Sequence, residues 1–143
     1  MNKTFWIGFV VVYVVVEVIG FLVHGIWLDE TYRSLADVFR PEAEMNNMMW
    51  VMFLSAALSI FIFCYIFTKN YEGKGIAEGL RYGFLIGLLM AVPMALDDYV
   101  IYPLPLNLAA IWLVVGLINF MIAGAVFSVI YKPSAPAPAT AAA

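Results

Sequence analysis

Long apolar runs separated by short polar segments are the dominant pattern along this chain. A helix that crosses the roughly 30 Å hydrocarbon core of a bilayer needs about 20 consecutive, mostly apolar residues. Four runs meet that length, at residues 5–28, 47–68, 76–96 and 106–131. The pattern predicts an all-α integral membrane protein: a four-helix transmembrane bundle over residues 1–132, built as two tandem hairpins, followed by a disordered Pro/Ala-rich tail at 133–143.

The composition agrees with a membrane protein. Of the 143 residues, 65% are hydrophobic and 12% are charged, whereas an ordinary soluble domain has about 25% charged residues. The net charge of −3 argues against a nucleic-acid-binding surface. Cys64 is the single cysteine, which excludes an intrachain disulfide, and inside a span we expect it to be a small buried apolar residue.

The basic residues are distributed unequally between the two sides of the predicted spans. Arg33 and Arg40 lie on one side, and the other side is flanked by Lys3, Lys69, Lys74, Arg81 and Lys132. Cytoplasmic loops of membrane proteins carry the excess of Lys and Arg. We therefore expect a multi-pass protein with both termini and the loop at 68–75 in the cytoplasm.

Small residues recur at every fourth position through the third run. They are Gly75, Gly79, Gly83, Gly87, Ala91 and Ala95. Such a series forms one slowly winding ridge on a helix, and in lipid it permits the close contact on which helix association depends. We expect Gly79 and Gly83 to meet one helix, and Ala91 and Ala95 another. We also expect Gly87→Leu to disrupt the bundle and Gly75→Leu to be tolerated.

Glu17 is the strongest single indication of function. An isolated charge at the centre of a span costs about 3 kcal/mol or more, so this carboxyl must face protein or water, or be protonated. By position along their spans, Ser59 and Asn119 should lie at the same depth and form a polar layer with Glu17. This carboxyl could carry protons or bind a ligand, or it could simply hydrogen-bond a neighbouring helix.

His24 lies two turns from Glu17 on the same helical face, about 10 Å away by helical rise. We expect it to take part in a relay through water or to hydrogen-bond Asp97 or Asp98. One histidine and one carboxylate do not match a known metal or haem site. A methionine face at the start of the second run comprises Met45, Met48, Met49 and Met52. Thioethers suit Cu(I), but this spacing is also typical of packing, so we predict no metal and no cofactor.

The two halves of the chain can be aligned with each other. Ile19-Gly20-Phe21-Leu22 matches Ile86-Gly87-Leu88-Leu89, and Tyr32 matches Tyr99. This alignment predicts a parallel internal repeat, in which both hairpins have the same orientation and a symmetry axis runs along the membrane normal.

Four short motifs carry a resemblance to a known group of proteins. They are Arg-Pro-Glu-Ala-Glu-Met at 40–45, Tyr-Glu-Gly-Lys-Gly at 71–75, Glu-Gly-Leu-Arg-Tyr-Gly at 78–83 and Ile-Tyr-Lys-Pro at 130–133. In these motifs the chain resembles a group of small, four-span bacterial membrane proteins of uncharacterised function. The resemblance implies a fold and a bacterial inner membrane, but no activity and no site residue.

Three functions fit the sequence, which has no P-loop, zinc motif or Rossmann fingerprint. The first is a non-enzymatic membrane protein that acts through helix association, as a homo-oligomer or as an accessory subunit of a membrane complex. Its partners would be the lipid bilayer and itself or other membrane proteins. The second is a small proton-coupled transporter that uses Glu17. The third is a bundle that binds haem, quinone or lipid.

Overall fold

The computed structural model describes residues 1–133, and all of its regular secondary structure is helical. Helix α1 is Lys3–Gly20 and continues as a π-helix, Phe21–Trp27; α2 is Asp29–Ser34, α3 is Glu42–Lys69, α4 is Ile76–Ile101 and α5 is Leu106–Ile130. Helix α1 with its π-helical continuation, α3, α4 and α5 are long and apolar enough to cross a membrane. The prediction of four such helices is confirmed. The predicted disordered tail lies, from residue 134 onward, outside the described residues.

Prolines set several helix boundaries. Helices α3 and α5 begin directly after Pro41 and Pro105, because proline has no N–H to leave unbonded and restricts the backbone before a helix. Pro93, by contrast, lies inside α4, which continues to Ile101. Helix α3 therefore begins before its predicted span of 47–68, and α4 continues beyond its predicted span of 76–96.

The ridge on α4 packs along α5. A Cβ atom at Gly79 would clash with the carbonyl oxygen of Gly124, and a Cβ at Gly83 would lie 2.7 Å from the Cα of Met121. Backbones this close require glycine, because any side chain would hold the helices apart.

The predicted packing residues Gly79, Gly83, Gly87 and Ala91 are all buried. The expectation that Ala91 meets a different helix is wrong, since a Cβ at Gly116 on α5 would lie 2.9 Å from the Ala91 Cβ. Helix α5 follows the winding of the ridge because it offers small residues at both levels.

The expectation that Gly75→Leu is tolerated is also wrong. The φ of Gly75, +63°, lies in a region that L-residues rarely adopt, so Gly75→Leu would strain the backbone although the surrounding space is open. Depth alone did not reveal this constraint, because it comes from the turn that leads into α4.

The main hydrophobic core lies at the end of the bundle that holds the start of α1, the loop before α4 and the end of α5, which we call the terminal end. Phe127 contacts Phe5 and Phe67 edge to face, with ring centroids 6.0 Å and 5.4 Å apart. Cys64 is fully buried in this core, as expected of a small apolar residue. The Tyr82 hydroxyl donates to the Phe63 carbonyl at 2.6 Å and links α4 to α3.

The opposite end of the bundle, which holds α2 and the turn before α5, is the distal end. Helix α3 is packed only in the half near the terminal end, where its buried residues are Ile60, Phe63, Cys64 and Phe67. From residue 42 to 55 every side chain except Met49 is exposed. The first hairpin is therefore much more open than the second, and we call the residues 42–59 the free segment of α3.

Candidate functional site

The residues predicted as a polar layer are divided between two environments. Gly8 on α1 faces Phe127 on α5, and Val23 packs beside Trp112. This antiparallel register places Glu17 at the level of Asn119, and both residues are half-buried. Ser59 is exposed on the free segment of α3, so its side chain is not packed together with those of Glu17 and Asn119.

The Glu17 carboxyl and the Asn119 Oδ1 atom both lack a protein partner in the part of the chain that the structure describes. The Glu17 carboxyl makes no hydrogen bond there, although its backbone carbonyl accepts the Phe21 N–H, and the Asn119 Oδ1 atom is buried without a donor. A buried amide oxygen without a donor costs about 1–3 kcal/mol. A protonated Glu17 carries an O–H, and Asn119 offers an acceptor at the same depth.

His24 belongs to a separate site at the distal end. Its Nδ1 atom lies 2.5 Å from the Tyr32 hydroxyl, and the Trp112 Nε1 atom donates to that hydroxyl at 2.9 Å. The indole nitrogen can only donate, so the Tyr32 O–H is left to donate to His24. The expectation that His24 hydrogen-bonds Asp97 or Asp98 is wrong, because the side-chain partner of its Nδ1 atom is Tyr32 on the adjacent α2.

The geometry of this chain of hydrogen bonds assigns a tautomer to His24. If Nδ1 accepts from Tyr32, the proton of a neutral imidazole lies on Nε2. His24 is an exposed residue, and its Nε2–H has no partner among the described residues. Burial raises the pKa of Tyr32, and the hydrogen bond from Trp112 partly opposes this shift. Tyr32 is therefore a neutral phenol at physiological pH and can accept and donate at once.

Packing holds the three rings of this site in place. Tyr32 stacks on His24 with an interplanar angle of 14°, and Phe39 meets Tyr32 edge to face at 5.5 Å. A small core beneath them contains the buried residues Leu28, Leu104 and Leu108. His24 lies in the π-helix Phe21–Trp27. Such helices are rare in proteins, and those that occur are often found at functional sites.

Sequence reasoning missed most of this distal site. Tyr32 was singled out only as the counterpart of Tyr99, and no pattern in Phe21–Trp27 distinguishes a π-helix from the α-helix before it. The signal that could have identified it is the coincidence of a lone histidine, a tyrosine eight residues later and a tryptophan at the same predicted depth.

Glu78 is a second polar residue whose role the sequence did not reveal. It is 3% exposed, and its two carboxylate oxygens accept the backbone N–H groups of Glu72 at 2.6 Å and Lys74 at 2.8 Å. This arrangement anchors the loop between α3 and α4. On the outside of the loop, Glu72 pairs with Lys74 and Arg81.

The ion pairs of Glu72 are present at neutral pH. The hydrogen bond from Lys74, together with Arg81, holds the pKa of the Glu72 carboxyl below its usual value, against a smaller effect of desolvation. A lowered pKa means that the pairing is complete above the ordinary carboxyl range and is lost only as the pH falls through the lowered value.

Among residues 1–133, no group of three or more His, Cys, Asp or Glu side chains is placed to hold a metal ion. Comparison with protein-family models, with curated proteins and with solved structures finds no match to this chain. The sites that a functional proposal can use are thus the level of Glu17 and Asn119, the distal His24–Tyr32–Trp112 chain and the free segment of α3.

Proposed function

We propose that this chain is a non-enzymatic integral membrane protein of a bacterial inner membrane that acts through helix association, as a homo-oligomer or as an accessory subunit of a membrane complex. One observation carries the proposal: against residues 1–133, the free segment of α3 has no buried side chain, and α1 reaches it through the Tyr13 hydroxyl, which donates to the Phe53 carbonyl at 3.4 Å. The bacterial inner membrane enters the proposal through the four short motifs, in which the chain resembles small, four-span bacterial membrane proteins.

The polar residues on the free segment support this role. Ser55 and Ser59 lie one turn apart and are exposed. In hydrocarbon, helices gain little from contact with each other except close packing and hydrogen bonds, both of which small hydroxyl residues permit. The glycine ridge on α4 cannot serve a partner in the same way, because α5 already covers it.

A pair of substitutions tests the association. Ser55→Leu combined with Ser59→Leu should abolish the oligomer, or the co-purifying subunit, that native mass spectrometry detects after gentle extraction. Leu58→Ile, at an exposed position between them, is the matched control and should keep it. A wild-type chain that is monomeric and without partners, or a serine variant that assembles normally, would refute the proposal.

We also propose that the terminal end faces the cytoplasm. The basic residues at this end support that orientation. Labelling of intact cells with a membrane-impermeant maleimide should modify an Ala36→Cys variant and leave an Asn70→Cys variant unmodified. The wild-type chain is the blank, because Cys64 is fully buried. The opposite pattern would invert the orientation.

A second candidate function is proton-coupled transport through Glu17. It is supported by the shared depth of the Glu17 carboxyl and the Asn119 Oδ1 atom, neither of which has a hydrogen-bond partner among the described residues. Proton flux into liposomes should then disappear in Glu17→Gln, while Glu30→Gln, in α2, leaves it unchanged. Equal flux in wild type and Glu17→Gln would exclude this function. The tandem repeat, which would place a pathway between the two hairpins, stays a prediction.

A further inference from the structure

A cavity of about 460 Å³ opens at the terminal end of the bundle. It lies between the first turn of α1, the last turn of α3 and the residue that follows α5. Its lining includes Asn2, Tyr65, Thr68, Lys69 and Tyr131. Hydroxyl, amide and ammonium groups thus surround a space beside an otherwise aromatic core.

The wall of this cavity is held in place by hydrogen bonds. Asn2 Nδ2 and Thr4 Oγ1 both donate to the Lys132 carbonyl, at 2.6 Å and 2.8 Å. The Asn2 Oδ1 atom accepts the Phe5 N–H at 3.0 Å and caps α1. The start of α1 is therefore fixed to the end of α5.

The terminal end carries positive charge that the described residues do not neutralise. Lys3, Lys69 and Lys132 form no ion pair with any carboxylate in residues 1–133. The carboxylates of the adjacent loop are engaged, because Glu72 pairs with Lys74 and Arg81 and Glu78 holds backbone N–H groups. At the distal end, by contrast, Arg33 and Arg40 are paired with carboxylates.

We propose that this cavity binds the phosphate headgroup of an anionic membrane lipid, with Lys69 as the principal contact. The Lys69 ammonium lies 4.8 Å from the centre of the Tyr65 ring, which orients it beside the cavity. The Tyr131 hydroxyl offers a donor beside it, while the Thr68 hydroxyl donates to the Tyr65 carbonyl at 2.7 Å and shapes the wall of the cavity. Basic pockets between spans on the cytoplasmic side are suited to anionic headgroups.

A lipid fits the position better than a free phosphate. The cavity lies at the ends of helices that are long enough to span a bilayer. Trp6, whose ring packs on the lining residue Phe5, and Ile62, one turn before the lining residue Tyr65, are exposed and apolar. The acyl chains would contact these apolar surfaces while the headgroup occupies the cavity. The inference rests on the proposed membrane placement, which the cysteine labelling tests separately.

Lys69 has another role that the test must separate from lipid binding. It lies in the last turn of α3, where a cation stabilises a helix end. That role predicts an effect on thermal unfolding but no preference among lipid headgroups.

The test uses the full chain in micelles that contain equal amounts of phosphatidylglycerol and phosphatidylcholine with the same acyl chains. Native mass spectrometry counts the lipids that each protein retains. Wild type should retain phosphatidylglycerol preferentially, and Lys69→Gln should lower that preference about fivefold. Lys74→Gln removes the same charge at the same end, but from a lysine that is paired with Glu72 at 2.6 Å, and should keep the preference.

Two further measurements complete the design. Lys69→Arg, which preserves the charge, should restore retention, and glycerol 3-phosphate should not displace the lipid. Equal retention of both lipids by wild type would overturn the proposal, as would an equal loss in Lys69→Gln and Lys74→Gln. Displacement by glycerol 3-phosphate would reassign the cavity to a soluble phosphate and overturn the lipid assignment.

Discussion

The Tyr32 hydroxyl joins three elements that are distant in the sequence. It accepts from Trp112 on α5 and lies 2.5 Å from His24 on the π-helix, while its own residue belongs to α2. The indole N–H, the phenol O–H and the imidazole Nδ1 atom each have a partner that matches their chemistry. A single atom therefore fixes α2 against the distal ends of two long helices.

Tyr32→Phe should remove both hydrogen bonds and leave the indole N–H and the imidazole nitrogen unpaired. We expect a loss of about 1–3 kcal/mol in the free energy of unfolding in detergent. Since His24 is the single histidine, its ¹⁵N spectrum reports the tautomer directly. Wild type should show the proton on Nε2, and the variant should show a mixture.

Tyr99→Phe is the matched control for this prediction. Tyr99 is exposed and is the counterpart of Tyr32 in the proposed repeat, so its substitution should change neither the stability nor the histidine spectrum. An unchanged spectrum in Tyr32→Phe would contradict the assigned hydrogen bond.

Glu78→Gln addresses the loop between α3 and α4. Glutamine has one acceptor oxygen where the carboxylate has two, so one of the N–H groups of Glu72 and Lys74 would face an NH₂ group. We expect a loss of about 1–3 kcal/mol in the free energy of unfolding and faster hydrogen exchange at these two amides. Glu72→Gln breaks only exposed ion pairs, so it should change the free energy of unfolding much less than Glu78→Gln. Similar exchange rates in the two variants would contradict the anchoring role of Glu78.

At the scale of whole elements, the α4–α5 pair is held by contact between backbones. Gly79 lies against Gly124, Gly83 against Phe120 and Met121, and Gly87 against Leu117. The approach is closest toward the terminal end, and near Gly87 the nearest atoms belong partly to side chains. The glycines of one ridge should therefore differ in their tolerance to a methyl group.

Gly83→Ala should be more damaging than Gly87→Ala. The added Cβ at Gly83 would clash with the Phe120 carbonyl oxygen, whereas at Gly87 it would lie 3.2 Å from a Leu117 methyl. Alanine gains about 1 kcal/mol of helix propensity over glycine, but forced overpacking costs about 1–3 kcal/mol. Thermal unfolding in detergent should show a clear loss for Gly83→Ala and a small change for Gly87→Ala.

Gly20→Ala serves as the control for the ridge, because a Cβ there would meet no other described atom within 4 Å. It should be neutral or stabilising. If Gly83→Ala is tolerated as well as Gly20→Ala, α4 and α5 do not approach as closely as described.

The positions of the helices in the chain could be predicted from the sequence better than the contacts between one helix and another. Uncharged runs of helix-spanning length leave few alternatives, and a glycine ridge indicates close packing directly. The partner of Ala91 could not be predicted, because it depends on the small residues of a different helix. The roles of His24 and Glu78 depend on a π-helical turn and on a loop in which Gly73 and Gly75 have positive φ, and neither leaves a periodic pattern.

At the scale of the whole molecule, stability is distributed unevenly. The terminal end has the aromatic core, the hydrogen bonds between α1 and α5, and the loop anchored by Glu78. The distal end has a smaller core, and the free segment of α3 runs beside α1 with most of its side chains exposed. One helix thus has a packed half and an unpacked half.

This asymmetry leads to a prediction about local opening. In the monomer, amides in the free segment should exchange with solvent deuterium faster than amides in α5 at the same distal depth, because few buried contacts oppose opening of the helix. If the segment is an association surface, assembly should slow its exchange and leave the packed half around Phe63 and Phe67 unchanged. The measurement is hydrogen exchange with mass spectrometry on separated monomer and assembled fractions in one detergent. Exchange that is equally slow in both halves of the monomer would show that α3 needs no partner.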